Sequence, residues 1–311
     1  MTRTQNASPE TRQSIPTSKA ARPAKRPVGF SRWFRATGWR HLVGVIVIIY
    51  AVFPLLYVLS ASLNPNGTLL SSNGLFAKIG LDSYVTLFTS PQQPYAAWFG
   101  NTLFIGLTAS AGTIFLGALA AYAFSRMRFK GRRFGLVSLL VVQIFPQLLA
   151  VVAIFLLLNT IGEIFPVLGI DNQIALILVY LGGALGVNTY LMYGFFNTVP
   201  TALDEAAKID GASHVRVFFT IILPLVSPIL AVVGLLSFIA TTNDFVIASV
   251  VLVSPEKQTL AVGLYQFVSQ EFTSNWSVFA AGAVLAALPV MALFLYLQKY
   301  IVGGLVAGSV K

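Results

Sequence analysis

The sequence predicts an all-α integral membrane protein, on three observations. Of its 311 residues, 56% are hydrophobic and only 10% are charged, whereas a soluble domain carries about 25% charged residues. Stretches of roughly 20 apolar residues recur along the chain, the length that a helix needs to cross a bilayer. Residues 1–40, ahead of the first of these stretches, supply +8 of the net charge of +10, and the rest of the chain is nearly neutral. This pattern excludes an ordinary soluble enzyme and a disordered chain, and the absence of Cys excludes thiolate chemistry.

Six segments are apolar and long enough to span the bilayer, and each is predicted to form one transmembrane helix. The fifth segment is the hardest to bound, because the polar run 241–244 interrupts it before the apolar sequence continues to Val253. The predicted helices lie near residues 42–63, 100–124, 134–158, 173–195, 228–253 and 278–298.

Lys and Arg residues predict the orientation of these spans. Eighteen of them fall on one side and only Lys78 and Lys257 on the other, so the positive-inside rule predicts that both termini are cytoplasmic. Residues 1–40 carry nine of the basic residues and form a predicted disordered extension. The inner leaflet attracts such a segment without a specific partner, and no nucleic-acid partner is predicted. Residues 41–300 are the predicted membrane domain, with 301–311 as a cytoplasmic tail.

The longest predicted cytoplasmic loop, residues 196–227, has the local chemistry of a helix, a turn and a second helix. Thr201 is a suitable N-cap, and Asp204 three residues later completes a capping box. Gly211 can adopt the left-handed conformation that ends a helix. Ser213 can cap the second helix, which is expected to continue to Pro224.

The first loop helix is expected to be short, rigid and exposed. Leu203, Ala206 and Ala207 follow the i, i+3, i+4 spacing of one helix face. A face of small residues flanked by acids allows another protein to approach closely, which predicts a docking surface. An amphipathic connector lying on the membrane is the alternative.

Three runs in this loop resemble the EAA signature of binding-protein-dependent ABC importer permeases. They are Glu205-Ala206-Ala207, Ile209-Asp210-Gly211-Ala212 and Ile222-Leu223-Pro224-Leu225. The resemblance implies a type I permease fold, in which this loop is the coupling helix that docks on an ATP-binding subunit. The residues implied to serve that coupling are Leu203, Glu205, Ala206, Ala207, Asp210, Gly211 and Pro224.

Other segments are similar to sugar-importer permeases, and in particular to the smaller permease subunit of maltose/maltodextrin importers. These are Ala97-Trp98-Phe99, Asn101-Thr102-Leu103, Asn243-Asp244-Phe245 and the final residues from Gln298 onward. The resemblance implies a tail that reaches the ATP-binding subunits through Gly308, Ser309, Val310 and Lys311. It also implies four partners: a second homologous permease, two ATP-binding cassette subunits and an extracytoplasmic sugar-binding protein.

Polar residues within predicted spans are candidates for the transport pathway, because they are costly in lipid and usually face a cavity or the bundle interior. Gln143 and Gln147 are spaced to share one helix face, with Pro146 breaking the backbone ladder between them. Asn188, Asn243 and Asp244 are further candidates, and Asp244 is also expected to act at a boundary or gate. Interhelical hydrogen bonding is an equally suitable role for Gln143, Gln147 and Asn188. The resemblance implies that the larger permease partner makes most direct sugar contacts.

Catalytic groups are not expected in this chain. The two histidines, His41 and His214, have no further ligands at metal-binding spacing, and there is no Walker-type phosphate loop. ATP and Mg²⁺ are therefore expected on the partner subunits. The sequence predicts a cytoplasmic-membrane permease subunit of an ATP-driven carbohydrate importer. A self-contained channel or secondary transporter is the alternative, although it needs coupling carboxylates or broken helices near the midplane.

Overall fold

Helices account for every regular element in the part of the chain that the structure describes, as the sequence predicts. The structure is a computed structural model that describes residues 34–65, 67, 74–91, 93–184, 186–269 and 276–307. Internal contacts divide the chain into two units, Met1–Val52 and Phe53–Lys311, with the boundary inside the first long helix.

Three helices of the described residues are long and apolar enough to cross a membrane unaided. They are α1 (Trp39–Ser62), α3 (Tyr95–Arg126) and α13 (Trp276–Ala307), and the short helix α2 (Asp82–Thr89) precedes α3. The most apolar windows of the three have mean hydropathies of 2.8, 1.9 and 2.5. Helix α13 extends past the predicted end near residue 298, because apolar residues continue there and no Pro follows.

The third predicted span, residues 134–158, is not a single helix. Helix α4 (Arg132–Val142) ends before Gln143, and α5 (Gln147–Ile164) begins after Pro146. Pro146 has an extended backbone with ψ 118° and no N–H, so it cannot continue the hydrogen-bond ladder of α4. The expected break at Pro146 is confirmed, but it separates two helices instead of bending one.

Two further apolar segments are pairs of helices. Helices α6 (Gln173–Ala184) and α7 (Val187–Phe196) cover the fourth predicted span, and α8 (Thr201–Ile209) follows them. Helices α9 (His214–Leu225) and α10 (Ser227–Asn243) meet at 79°. If each bent pair is one span, the described residues contain up to five spans. The count of six stays a prediction.

The polar run at 241–244 interrupts the chain where the sequence predicts an interruption. Helix α10 ends at Asn243, and the chain continues through α11 (Val246–Val251) and α12 (Leu260–Ser269) before α13.

Helix α3 contributes to all three buried apolar clusters of the second unit. Near its end it supplies Ala118, Ala121 and Tyr122 to a cluster with α7, α8, α9 and α10. Its middle packs with α6 and α11, and its first turns pack with α2, α12 and α13 around Trp98. Helix α3 is thus the central helix of this unit.

Candidate functional site

Helix α8 is bounded by a proline and a glycine. Pro200 precedes its first residue, and no side chain caps that end. At the other end, Ala212 N–H donates to the Ala207 carbonyl (2.9 Å) and Gly211 N–H to the Lys208 carbonyl (3.0 Å). This pair of bonds is a Schellman motif, and Gly211 has the predicted left-handed conformation, φ +79°. The predicted capping box of Thr201 and Asp204 is wrong, because the Asp204 carboxylate is engaged elsewhere.

Gly211→Val is expected to destabilise this turn by about 1–3 kcal/mol. No atom lies within 4 Å of a Cβ placed on Gly211, so the cost comes from the backbone angle and not from a clash. Gly211→Asn is the matched control, because Asn tolerates the left-handed region. Thermal unfolding of the purified protein measures both variants, and equal destabilisation by Val and Asn would contradict this reason.

Helix α9 begins at the predicted cap, and it continues through Pro224 to Leu225 with a local widening that was not predicted. The Ser213 hydroxyl accepts a hydrogen bond from the Arg216 N–H at 3.3 Å, so Ser213 caps the helix. The stretch Phe218–Ile222 is a π-helical turn just before Pro224. Pro224 has no N–H for the carbonyl of residue 220, which is consistent with this local widening. Pro224 is exposed and lies in α9, not in α8.

The exposed face of α8 differs from the predicted one by one residue. Leu203, Ala206 and Ile209 are exposed at i, i+3, i+6, with Ile209 87% exposed, and we call these three residues the α8 outer face. Glu205, Asp210 and Gly211 are also exposed. Ala207, which the sequence places on the docking face, is 8% exposed and belongs to the buried cluster of Val217 and Phe218. Because α8 contains three alanines, the sequence alone does not determine which of them faces the interior.

Asp204 anchors α8 from its inner side. Its Oδ2 lies 2.6 Å from the Arg126 Nε, and the two side chains are only 7% and 6% exposed. Neither Asp204 oxygen accepts an aligned hydrogen bond within the described residues, so the Arg126 charge is what compensates the carboxylate. Arg126 Nη2 also donates to the Val199 carbonyl at 2.7 Å. In the sequence Arg126 is one of five basic residues of the predicted loop 125–133, so its contact with Asp204 could not be predicted.

Gln143 binds protein backbone at a helix break. Its Nε2 donates to the Gly183 carbonyl at 2.7 Å, joining the break after α4 to the end of α6. Gly186 permits this approach, because a Cβ there would lie 2.0 Å from the Gln143 side chain. Gln147 begins α5, and its side chain lies outside the described residues. The predicted shared face of Gln143 and Gln147 is wrong, because the chain is not helical between them.

The remaining pathway candidates lie in different surroundings. Asp244 Oδ2 accepts hydrogen bonds from the Tyr180 hydroxyl (2.7 Å) and the Ala248 N–H (3.1 Å), so this carboxylate joins α6 to α11. Asn243 is exposed and lines a cavity of about 130 Å³ between α3, α10, α12 and α13. Asn188 is half-buried in α7. The cavity is smaller than the about 300 Å³ at which ligand pockets begin, so it is too small to enclose an oligosaccharide.

An unpredicted cluster joins the loop before α6 to the loop after α11. Asp171 Oδ1 accepts from the amides of Val253 (3.0 Å) and Ser254 (2.8 Å), and its Oδ2 accepts from the Ser254 hydroxyl (2.6 Å). Lys257 Nζ lies 3.0 Å from Oδ2. Partial burial alone raises the pKa of the Asp171 carboxyl, but the Ser254 hydrogen bonds and the Lys257 charge lower it to about 2.

The Asp171 cluster is expected to hold these loops together at neutral pH and to fail in acid. Because the folded-state pKa of about 2 lies below the unfolded value of about 3.9, the stabilisation is complete above the unfolded value. It is lost as the pH falls through the folded one. At pH 7, Asp171→Asn should speed amide exchange of Val253 and Ser254 by about tenfold, as expected for one charge-assisted hydrogen bond.

Lys257→Met keeps the Val253 and Ser254 bonds and is the matched control, with a smaller expected increase. The difference in exchange between wild type and Asp171→Asn should shrink toward pH 2. A difference that stays constant from pH 7 to pH 2 would contradict the assigned role of the Asp171 charge.

Several predicted features lie outside the described residues. They include Gly308, Ser309, Val310 and Lys311 of the tail and residues 1–33 of the basic extension. Among the residues that the structure describes, no three His, Asp or Glu side chains are grouped closely enough to hold a metal ion.

Comparisons with known proteins identify the family of the chain. Residues 113–305 match the family described as binding-protein-dependent transport system inner membrane component. The chain is 41% identical to the galactooligosaccharides transport system permease protein GanQ of Bacillus subtilis (strain 168), over 87% of this chain and 94% of that protein. It is 39% identical to the maltodextrin transport system permease protein MdxG of the same strain, over 87% of this chain and 95% of that protein.

The fold is also similar to a chain in a crystal structure of a bacterial ABC transporter involved in the import of the acidic polysaccharide alginate. The TM-score is 0.72 at 25% identity, covering 87% of this chain and 98% of the other. The family match, the two relatives and this fold agree with one another. The chain therefore belongs to the family of binding-protein-dependent transport system inner membrane components, as a multi-pass cell-membrane permease of an ABC sugar importer.

Proposed function

We propose that this permease imports maltose, maltodextrins or a related glucoside, driven by ATP that partner subunits hydrolyse. The names of the relatives support this substrate class, since they specify galactooligosaccharides and maltodextrin. Hydroxyl-rich, uncharged sugars also suit the amide side chains near the helix breaks, such as Gln143, Asn188 and Asn243.

The observation that carries the proposal is the shape of α8. It is a nine-residue helix with defined ends, an exposed outer face and an inner side fixed by Asp204 and Ala207. Such a helix presents a rigid surface to a partner. We assign it to docking on an ATP-binding cassette subunit, with Leu203, Glu205, Ala206 and Asp210 at or near the contact. Gly211 shapes its end and Pro224 the following helix, and Ala207 supports the contact from within.

The family description, which names a binding-protein-dependent transport system, supports the binding protein of the proposed assembly. This chain pairs with a second homologous permease, and two ATP-binding subunits bind ATP and Mg²⁺ on the cytoplasmic side. A sugar-binding protein delivers the substrate on the other side. In this orientation α8 and both termini are cytoplasmic, and Gly308, Ser309, Val310 and Lys311 reach toward the ATP-binding subunits.

Closure of the ATP-binding subunits would move α8, and the helices attached to it would change between inward-facing and outward-facing arrangements. Such a change is a shift between two conformations that ATP binding favours differently. The energy comes from the partners, and this chain converts their motion into access for the sugar.

Copurification from the native membrane tests the proposal against a self-contained channel or secondary transporter. We expect ATP-binding subunits in stoichiometric amount, and ATP hydrolysis that rises when the sugar-loaded binding protein is added. A chain that purifies alone and moves sugar in vesicles without ATP would overturn the proposal.

A further inference from the structure

The last turns of α3, at Tyr122 and Arg126, contact the chain before, within and after α8. Arg126 donates to the Val199 carbonyl before α8 and pairs with Asp204 within α8. One turn earlier on α3, the Tyr122 hydroxyl lies 3.5 Å from His214 Nδ1 at the start of α9. The Tyr122 ring also packs edge-on against Phe218 of α9, with the ring centroids 5.1 Å apart. Helix α8 is therefore attached to α3 before, within and after its own length.

The opposite end of α3 holds the loop between α11 and α12 equally closely. Trp98 Nε1 donates to the Pro255 carbonyl at 2.7 Å, and Asn101 Nδ2 donates to the carbonyls of Glu256 (2.7 Å) and Gln258 (2.9 Å). The Thr102 hydroxyl accepts from the Leu260 N–H at 2.8 Å. Trp98 and Arg126 lie 28 residues apart on this unbroken helix, which separates them by about 42 Å along its axis.

We propose that Arg126 is a positioning residue that fixes α8 to α3, so that movement of α8 displaces α3 and the 255–260 loop with it. The proposal rests on the proposed function, because it names the joint through which the motion of the ATP-binding subunits enters the membrane helices.

The ion pair between Arg126 and Asp204 is better suited to connecting α8 to α3 than to filling the space between them. A buried ion pair adds little net stability over apolar residues of similar volume, so stability alone does not account for this pair. Arg126 meets two groups on different parts of the segment, the Val199 carbonyl and the Asp204 carboxylate, and so fixes the direction of α8 as well as its distance.

The experiment compares replacement of the Arg126–Asp204 pair by apolar residues with removal of a nearby arginine that does not contact α8. Arg126→Met/Asp204→Leu removes both charges together and leaves no unpaired one in the interior. Arg126→Lys keeps a charge for Asp204 and removes the planar fork that also reaches Val199. Arg132→Met is the matched control, because Arg132, the first residue of α4, carries the same charge but bonds to the Tyr193 hydroxyl of α7 (3.2 Å).

Each variant is coexpressed with the partner subunits and reconstituted in lipid vesicles with the binding protein, and radiolabelled maltose transported per ATP hydrolysed is measured. The double variant should retain the ATP-binding subunits, since the α8 outer face is unchanged, yet transport about tenfold less sugar per ATP, a typical size for coupling between sites. Arg126→Lys should fall between it and wild type. Arg132→Met should match wild type.

A second measurement distinguishes a positioning role of Arg126 from a role in packing alone. ATP should change amide exchange at Leu260 in wild type and in Arg132→Met, but not in the double variant. If the double variant transports as much maltose per ATP as wild type, Arg126 does not act as a positioning residue, while the proposed function stands. The same conclusion follows if Arg132→Met loses as much transport per ATP as the double variant. If the wild-type chain retains no ATP-binding subunit, the proposed function fails and the joint fails with it.

Discussion

Ala206→Glu is expected to release the ATP-binding subunit from the permease without unfolding the permease. Ala206 lies at the centre of the α8 outer face, between Leu203 and Ile209, and is exposed in the isolated chain. A carboxylate there costs nothing in water, but in a desolvated interface an unpaired charge costs about 3–5 kcal/mol. A loss of that size corresponds to an affinity lower by more than a hundredfold.

The measurement is the amount of ATP-binding subunit that copurifies with equal amounts of permease. Val215→Glu is the matched control, since Val215 is exposed in the neighbouring α9 and gains the same charge outside α8. An Ala206→Glu permease that keeps its full complement of ATP-binding subunit would remove the docking role of α8.

Ala207→Glu, one residue later, is expected to act on the permease itself. Ala207 is 8% exposed within the cluster that includes Met192, Val217 and Phe218. Burying a carboxylate there without a partner should destabilise the fold by about 3–5 kcal/mol. The purified variant should unfold at a markedly lower temperature, and less of it should reach the membrane.

The substitutions at Ala206 and Ala207 are expected to have different effects. Ala206→Glu should unfold at the wild-type temperature and lose its partner, whereas Ala207→Glu should lose stability before any partner is added. Equal thermal stability of the two variants would show that α8 does not have the orientation described.

Local chemistry predicts most of the α8 region. Gly211 and Ser213 act through bonds to residues within five positions, so the turn and the second cap can be read from the sequence. The same holds for Pro146, whose missing N–H is a property of one residue. The signature between Glu205 and Leu225 likewise predicts the family, which the match over residues 113–305 confirms.

Contacts between distant parts of the chain are not predictable in this way. Arg126 and Asp204 are 78 positions apart, and Asp171 and Ser254 are 83 apart. In a single sequence, Arg126 is indistinguishable from the four other basic residues of its loop. The burial of Ala207 in place of Ala206 also depends on the position of α9, which helix periodicity alone does not determine. The residues whose roles differ from the prediction are those whose surroundings are determined by tertiary packing.

The central claim is that the α8 outer face docks on an ATP-binding subunit, and a photo-reactive side chain at position 209 tests it most directly. Ile209 is 87% exposed, so the substitution should leave the fold unchanged. Illumination of intact membranes should join the permease to the ATP-binding subunit from position 209, while the same probe at exposed Glu256 in the 255–260 loop should not. Crosslinking to that subunit from position 256 and none from position 209 would contradict the claim.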